Sequence, residues 1–248
     1  MPLLSPTRLA ALIALAPLAT VACARTTASS ASATTTAASV RTSAADTHHV
    51  ASTTVPVPGG CSEPRTTPAD AVGCYAVATQ SLGVVGTTPL YWHLDRYPTR
   101  AAAESARGER SVVGDAHGRV WLFTIAEANW RPTGGERVAR VGPLPLVAGR
   151  SYAAHYLEGV VPPGARTPAH THAGPEAWYV LEGTNCLLTP DDARVAHAGE
   201  TLIVPEGSAM ILTGVGPVTR RSLALVVHDA SKPWTIPAQT FTPAKSCP

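Results

Sequence analysis

The sequence predicts an all-β domain that carries one short helix. Charged residues make up only 15% of the chain while Gly and Pro number 20 and 23, a composition of turn-rich β proteins. Short apolar runs rich in Val, Leu, Ile and aromatic residues recur between residues 90 and 228, with Gly, Pro, Asn and Asp between them. One stretch alone, Thr99–Arg107, combines a capping residue, an Ala run and a Gly stop.

Taken in order, the chain opens with a basic Arg8 and an apolar run from Leu9 to Val21, too short to span a bilayer as a helix. Residues 1–23 are therefore expected to be an export signal. Two cleavage readings stand: a lipoprotein site at Ala22–Cys23, which would anchor the chain through a lipid on Cys23, or an A-x-A site at Ala22–Ala24 for ordinary secretion. Both place the protein at the cell envelope or outside the cell. Residues 24–60 are expected to be a disordered tether, because 23 of the 29 residues from Thr26 to Thr54 are Ala, Ser or Thr and supply too little apolar surface to offset chain ordering. His48 and His49 fall in it. Residues 61–248 remain for one domain, long enough for a packed core. The net charge of +2 and the lack of a basic stripe argue against nucleic acid as a partner.

Beyond Cys23 there are four cysteines, an even count that suggests disulfides in an exported chain. Three pairings are open; the expected one is Cys61–Cys74, clasping the start of the domain, with Cys186–Cys247 tying down the tail. The alternative is a free Cys186 thiol. Residues 61–74 read as a lead-in loop and Cys74–Val85 as mildly apolar. Leu90–Leu94 is a short strand whose His93 is expected in the core or on the surface. Val112–Val113 and Arg119–Ala126 read as strands joined by a turn over Gly114–Gly118, with Trp121 and Phe123 on one face. Residues 129–137 read as a surface loop and Val138–Val147 as an edge strand. In Ser151–Val161, His155 lies opposite Tyr152, Ala154 and Tyr156, and is expected to be a hydrogen-bonded strand residue rather than a ligand. Ala177–Leu181, Cys186–Leu188, Arg194–His197, Thr201–Val204, Ala209–Leu212 and Ser222–His228 complete the strands. Of Arg220 and Arg221, one faces inward by period two and would suit a substrate carboxylate, although an exposed pair is the more common arrangement.

The chemistry sits in residues 164–183. His170 and His172 alternate along one strand and so share a face, and a turn at Ala173–Pro175 returns Glu176 beside them. Two imidazoles and a carboxylate are ligands for a divalent transition metal: iron, zinc, manganese, nickel or copper. Gly164, five residues, His170-x-His172, three residues, Glu176, six residues and Gly183 resembles the first motif of the cupin family. Gly199, Pro205 and Gly207 resemble the second, whose fourth ligand position holds Met210 in place of His. The resemblance covers about residues 150–230. It implies a double-stranded β-helix, or jelly-roll barrel, with residues 75–147 adding strands and the helix, and it implies homodimers formed through strands. It also implies metal ligation by His170, His172 and Glu176 and an enzyme acting on a small organic molecule by oxygen, isomerase or lyase chemistry. A non-catalytic barrel binding a small ligand at the envelope is the alternative. Met210 would ligate through its thioether or simply fill an apolar gap.

Overall fold

The computed structural model describes residues 55–56 and 61–248; the expected export signal at 1–23 and most of the expected tether lie outside the described residues. In chain order the elements are β1 (Val55–Pro56), β2 (Gly73–Val84), β3 (Tyr91–Tyr97), α1 (Arg100–Ser105), β4 (Ser111–Ala116), β5 (Arg119–Ala126), β6 (Glu136–Val141), β7 (Ser151–Val161), β8 (Ala165–Arg166), β9 (His170–Thr171), β10 (Glu176–Glu182), β11 (Thr184–Leu188), β12 (Ala193–His197), β13 (Thr201–Val204), β14 (Ile211–Val215), β15 (Arg220–Asp229) and β16 (Ile236–Pro237).

Two five-stranded sheets, ordered β1-β8-β14-β11-β12 and β13-β10-β15-β7-β2, face one another. From β7 onward the chain passes repeatedly from one to the other, which is the winding of a double-stranded β-helix. A side-chain cluster joins them, with Leu157, Trp178, Val204 and Val226 from one sheet and Leu187 and Leu212 from the other. A four-stranded sheet, β4-β5-β3-β6, covers the outer face of the second sheet. There Trp92, Phe123 and Ile125 pack against Tyr152, Tyr156, Leu223 and Leu225. Strand β15 is therefore buried on both faces: Ser222, Ala224 and Val226 point into the barrel and Leu223, Leu225 and Val227 point out to the extra sheet. A strand covered on both sides reads as a continuous apolar run, as SLALVV does.

The helix forms where the sequence places it. Thr99 Oγ1 accepts from Ala102 N at 3.2 Å, and buried Ala103 lets the helix settle against Tyr97, Val113 and Leu122. It stops at Ser105, two residues early, where Arg107 turns back to donate from Nε to Ser111 O at 3.2 Å. Strand β4 is longer than expected and contains Gly114. A Cβ there would stand 2.4 Å from Val77 Cγ1, so the glycine marks close packing of β4 on β2, and the turn falls at His117–Gly118, both at positive φ (50° and 67°). Glu136 and Arg137, expected in a loop, begin the edge strand β6, and Val55–Pro56, expected in the tether, pairs with Ala165–Arg166. Cys61–Cys74 and Cys186–Cys247 both form, so Cys186 is not a free thiol.

Candidate metal and ligand site

The short strand β9 holds His170 from two sides. It pairs with β16 through His170 and Pro237, and it bridges to Met210, with His170 N donating to Met210 O at 3.1 Å and Met210 N to His170 O at 2.9 Å. The turn that follows is fastened to β15: Val227 N donates to Pro175 O at 2.9 Å and Asp229 N to Ala173 O at 2.8 Å. Gly174 lies flat against this strand, where a Cβ would fall 2.1 Å from Val227 O. Glycine is required here by proximity rather than by its φ. Gly207, at φ 76° in the turn after β13, donates to His172 O at 3.0 Å and so ties the second glycine motif to the first.

His170, His172 and Glu176 come together as expected, with one ligand atom from each lying within 4.8 Å of the others. The orientation of both imidazoles is fixed. His170 Nδ1 lies 2.8 Å from Pro168 O and His172 Nδ1 lies 2.5 Å from Trp234 O. A carbonyl can only accept, so both Nδ1 atoms carry protons and both Nε2 atoms are left to ligate. His172 Nε2 stands 2.9 Å from Glu176 Oε2, and both are buried, yet neither has a hydrogen-bond partner of acceptable geometry. Burial alone would lower the His172 pKa; the Glu176 carboxylate, helped by the Trp234 carbonyl, holds it above its ordinary value. Two buried atoms this close that do not align on one another are poorly served by a shared proton. A cation between them would satisfy both, so the residues fit a divalent metal.

These three residues open on a cavity of about 300 Å³ walled by Leu157, Trp178, Leu212, Ala224, Trp234 and the Cys61–Cys74 disulfide. At its other side lies Arg220, only 4% exposed. Burial lowers its pKa to about 10, partly offset by the charge of Glu176, so it stays protonated at neutral pH. Arg220 is thus the inward member of the Arg220–Arg221 pair, as strand alternation allows and in place of the commoner exposed pair; Arg221 reaches outward, with Nε 3.3 Å from Glu182 Oε2.

Met210 is 1% exposed and packs in the apolar cluster inside the barrel. His155 does face the barrel interior, but its ring packs 5.1 Å from His228 and 5.2 Å from Trp234, and it is not in the ligand group. Its pKa is lowered to about 4, by burial first and then by His228 and His172. His93 is a core residue, and residues 129–137 do not line the cavity. Sequence reasoning missed Trp234, whose indole lies near-parallel to the rings of both His155 and His172. Its one signal was an isolated Trp in a Pro-rich tail.

Residues 157–213 match the family model described as a cupin domain. No curated protein sequence matches the chain. Among solved structures, a cupin-like protein from Thermotoga maritima aligns at 19% identity over 37% of this chain and 67% of its own, with a TM-score of 0.31. An oxalate oxidase aligns at 21% identity over 35% of this chain and 45% of its own, with a TM-score of 0.28. A polyketide cyclase from Streptomyces resistomycificus aligns at 23% identity over 36% of this chain and 61% of its own, with a TM-score of 0.29. The chain spans less than half the length of the oxalate oxidase that it matches.

Proposed function

We propose, from the match of residues 157–213 to the cupin domain model, that this chain carries a cupin-type barrel that holds one divalent transition metal on His170, His172 and Glu176 and acts on a small organic molecule in the adjoining cavity. The observation that carries the reading is the buried pair of His172 Nε2 and Glu176 Oε2, 2.9 Å apart and without hydrogen-bond partners. Two imidazoles and one carboxylate leave coordination positions open to a substrate, the arrangement found in non-haem iron oxygenases. A bound ion would supply Lewis acidity or a lowered pKa of bound water. The chain's own residues do the rest. Pro168 and Trp234 carbonyls aim the imidazoles, and the apolar walls and Trp234 limit water around the reacting atoms.

The two disulfides suit an oxidising compartment. We place the protein at the cell envelope or outside the cell on that basis and on the composition of residues 1–23, with Cys23 as a lipid attachment point.

The test is metal content by mass spectrometry of untagged protein beside a His170→Ala, Glu176→Ala double variant, followed by substrate screening. Near-stoichiometric metal in the parent and none in the variant is the expected result, with turnover that depends on the ion. Saturable ligand binding without turnover would make the protein a binding module. No metal in either protein after reconstitution sinks the proposal.

A further inference from the structure

The guanidinium of Arg220 has no role in the architecture that would explain its burial. It makes one hydrogen bond, from Nη1 to Asn185 Oδ1 at 3.1 Å, and its Nε is buried without a partner. Among the described residues no carboxylate oxygen lies within 4.0 Å of it. Asn185, fully buried behind it, also has an unpartnered Nδ2. A buried cation without a counter-ion is unfavourable, and such a group persists where something else completes it.

Space has been left beside it. Ser222 on β15 pairs with Gly159 on β7, and a Cβ at Gly159 would come within 3.2 Å of Ser222 Oγ and 3.4 Å of Arg220 Nη2. Glycine at this position keeps the Nη2 side of the guanidinium open to the cavity. A guanidinium N–H that faces a cavity makes a charge-assisted hydrogen bond to a carboxylate oxygen, about twice as strong as a neutral one. Charge points the same way. A divalent ion and Arg220 against the single carboxylate of Glu176 leave the loaded cavity with surplus positive charge and favour an anion.

Resting on the metal-site reading above, we propose that the substrate is a small carboxylate, bound through its carboxylate group on Nη2 of Arg220 with Ser222 beside it, while its other end faces His170, His172 and Glu176. The cavity of about 300 Å³ suits a small molecule.

Calorimetric titration of the metal-loaded protein with glycolate, succinate and benzoate, each against its amide, tests this. The same titrations are run on Arg220→Met and on the His170→Ala, Glu176→Ala chain. The parent is expected to prefer at least one acid over its amide by about 10- to 100-fold, the range for a charge-assisted hydrogen bond. Arg220→Met should lose that preference while keeping its metal and melting no lower than the parent, a result that a purely structural arginine would not give. If Arg220→Met does not fold, Gly159→Ala keeps the charge but crowds the Nη2 side, and should weaken acid binding at unchanged metal content. Equal binding of acids and amides, no binding of any acid at millimolar concentration, or a preference that survives Arg220→Met (or, in its place, Gly159→Ala) overturns the proposal. Metal present without an acid preference sinks this inference alone. An acid preference in a chain that takes up no metal sinks the metal reading alone.

Discussion

Breaking the Cys186–Cys247 bridge should cost more stability than breaking Cys61–Cys74, and should also loosen the metal site. The bridge closes a loop of 61 residues, against 13 for the other. Loop-closure entropy then gives about 4 kcal/mol for the first and about 3 kcal/mol for the second. For a folded region of this size, 4 kcal/mol corresponds to a fall in Tm of roughly 8–16 °C. Cys186 is fully buried, packed with Leu188, Ile211 and Val215 and with Phe241 of the tail, so Cys186→Ala with Cys247→Ala keeps an apolar contact and isolates the cross-link. The coupling to the site runs through the tail. Cys247 fastens the segment whose Trp234 carbonyl aims His172 and whose Ala238 N donates to Ala169 O at 3.1 Å. A misaimed histidine typically lowers metal affinity by about 10-fold or more. The assay is urea unfolding of the metal-free protein, followed by metal retention against a chelator. A loss smaller than that of a Cys61→Ala, Cys74→Ala variant, or unchanged metal retention, would refute the reasoning.

Gly174→Ala forces a Cβ towards Val227 O; it should destabilise the protein by about 2 kcal/mol or more and strip the metal, measured by thermal melting and metal content. Met210 lies directly opposite His170 across the bridge, and cross-strand partners project to the same side. Met210→His is therefore expected to tighten metal retention by about 10-fold, and unchanged exchange kinetics would count against that register. His93 gives a pH dependence far from the metal ligands in sequence. Its Nε2–H donates to Glu127 O at 2.9 Å, so Nδ1 accepts from Arg137 Nη1 at 2.8 Å, and the ring is held neutral. Burial, then Arg137, lowers its pKa to about 4. The unfolded chain takes up this proton near pH 6.5 and the folded one does not, so stability is lost as pH falls from 6.5 towards 4, by at most about 3 kcal/mol. His93→Gln should flatten unfolding free energy against pH in that window; an unchanged slope would refute the assignment.

The barrel and the convergence of His170, His172 and Glu176 were legible because their signals are local. His170-x-His172 needs only strand alternation, and Glu176 only a four-residue return. The helix at Arg100–Ser105 was legible for the same reason, its cap and Ala run being contiguous. What sequence missed depended on contacts distant along the chain. Gly114 read as a turn because nothing nearby shows that Val77 presses on it. Period two turned one of Arg220 and Arg221 inward without choosing which, or whether the pair was simply exposed, and the space that accommodates Arg220 is made by Gly159, 61 residues earlier. Trp234 carried no periodic pattern at all; only the tail's return to the barrel gives it a function.

The sheet formed by β3 to β6 has a consequence for assembly. An isolated barrel would present the outer surface of β10, β15, β7 and β2 as a broad apolar plane, with Tyr152, Tyr156, Leu223, Leu225 and Val227 facing water. Such a plane invites a second molecule. Here the polypeptide covers it with its own Trp92, Trp121 and Phe123 before any neighbour can. The hydrophobic gain that self-association through this surface would collect has already been collected within one chain. Any dimer must therefore form elsewhere, through a strand edge or the opposite sheet.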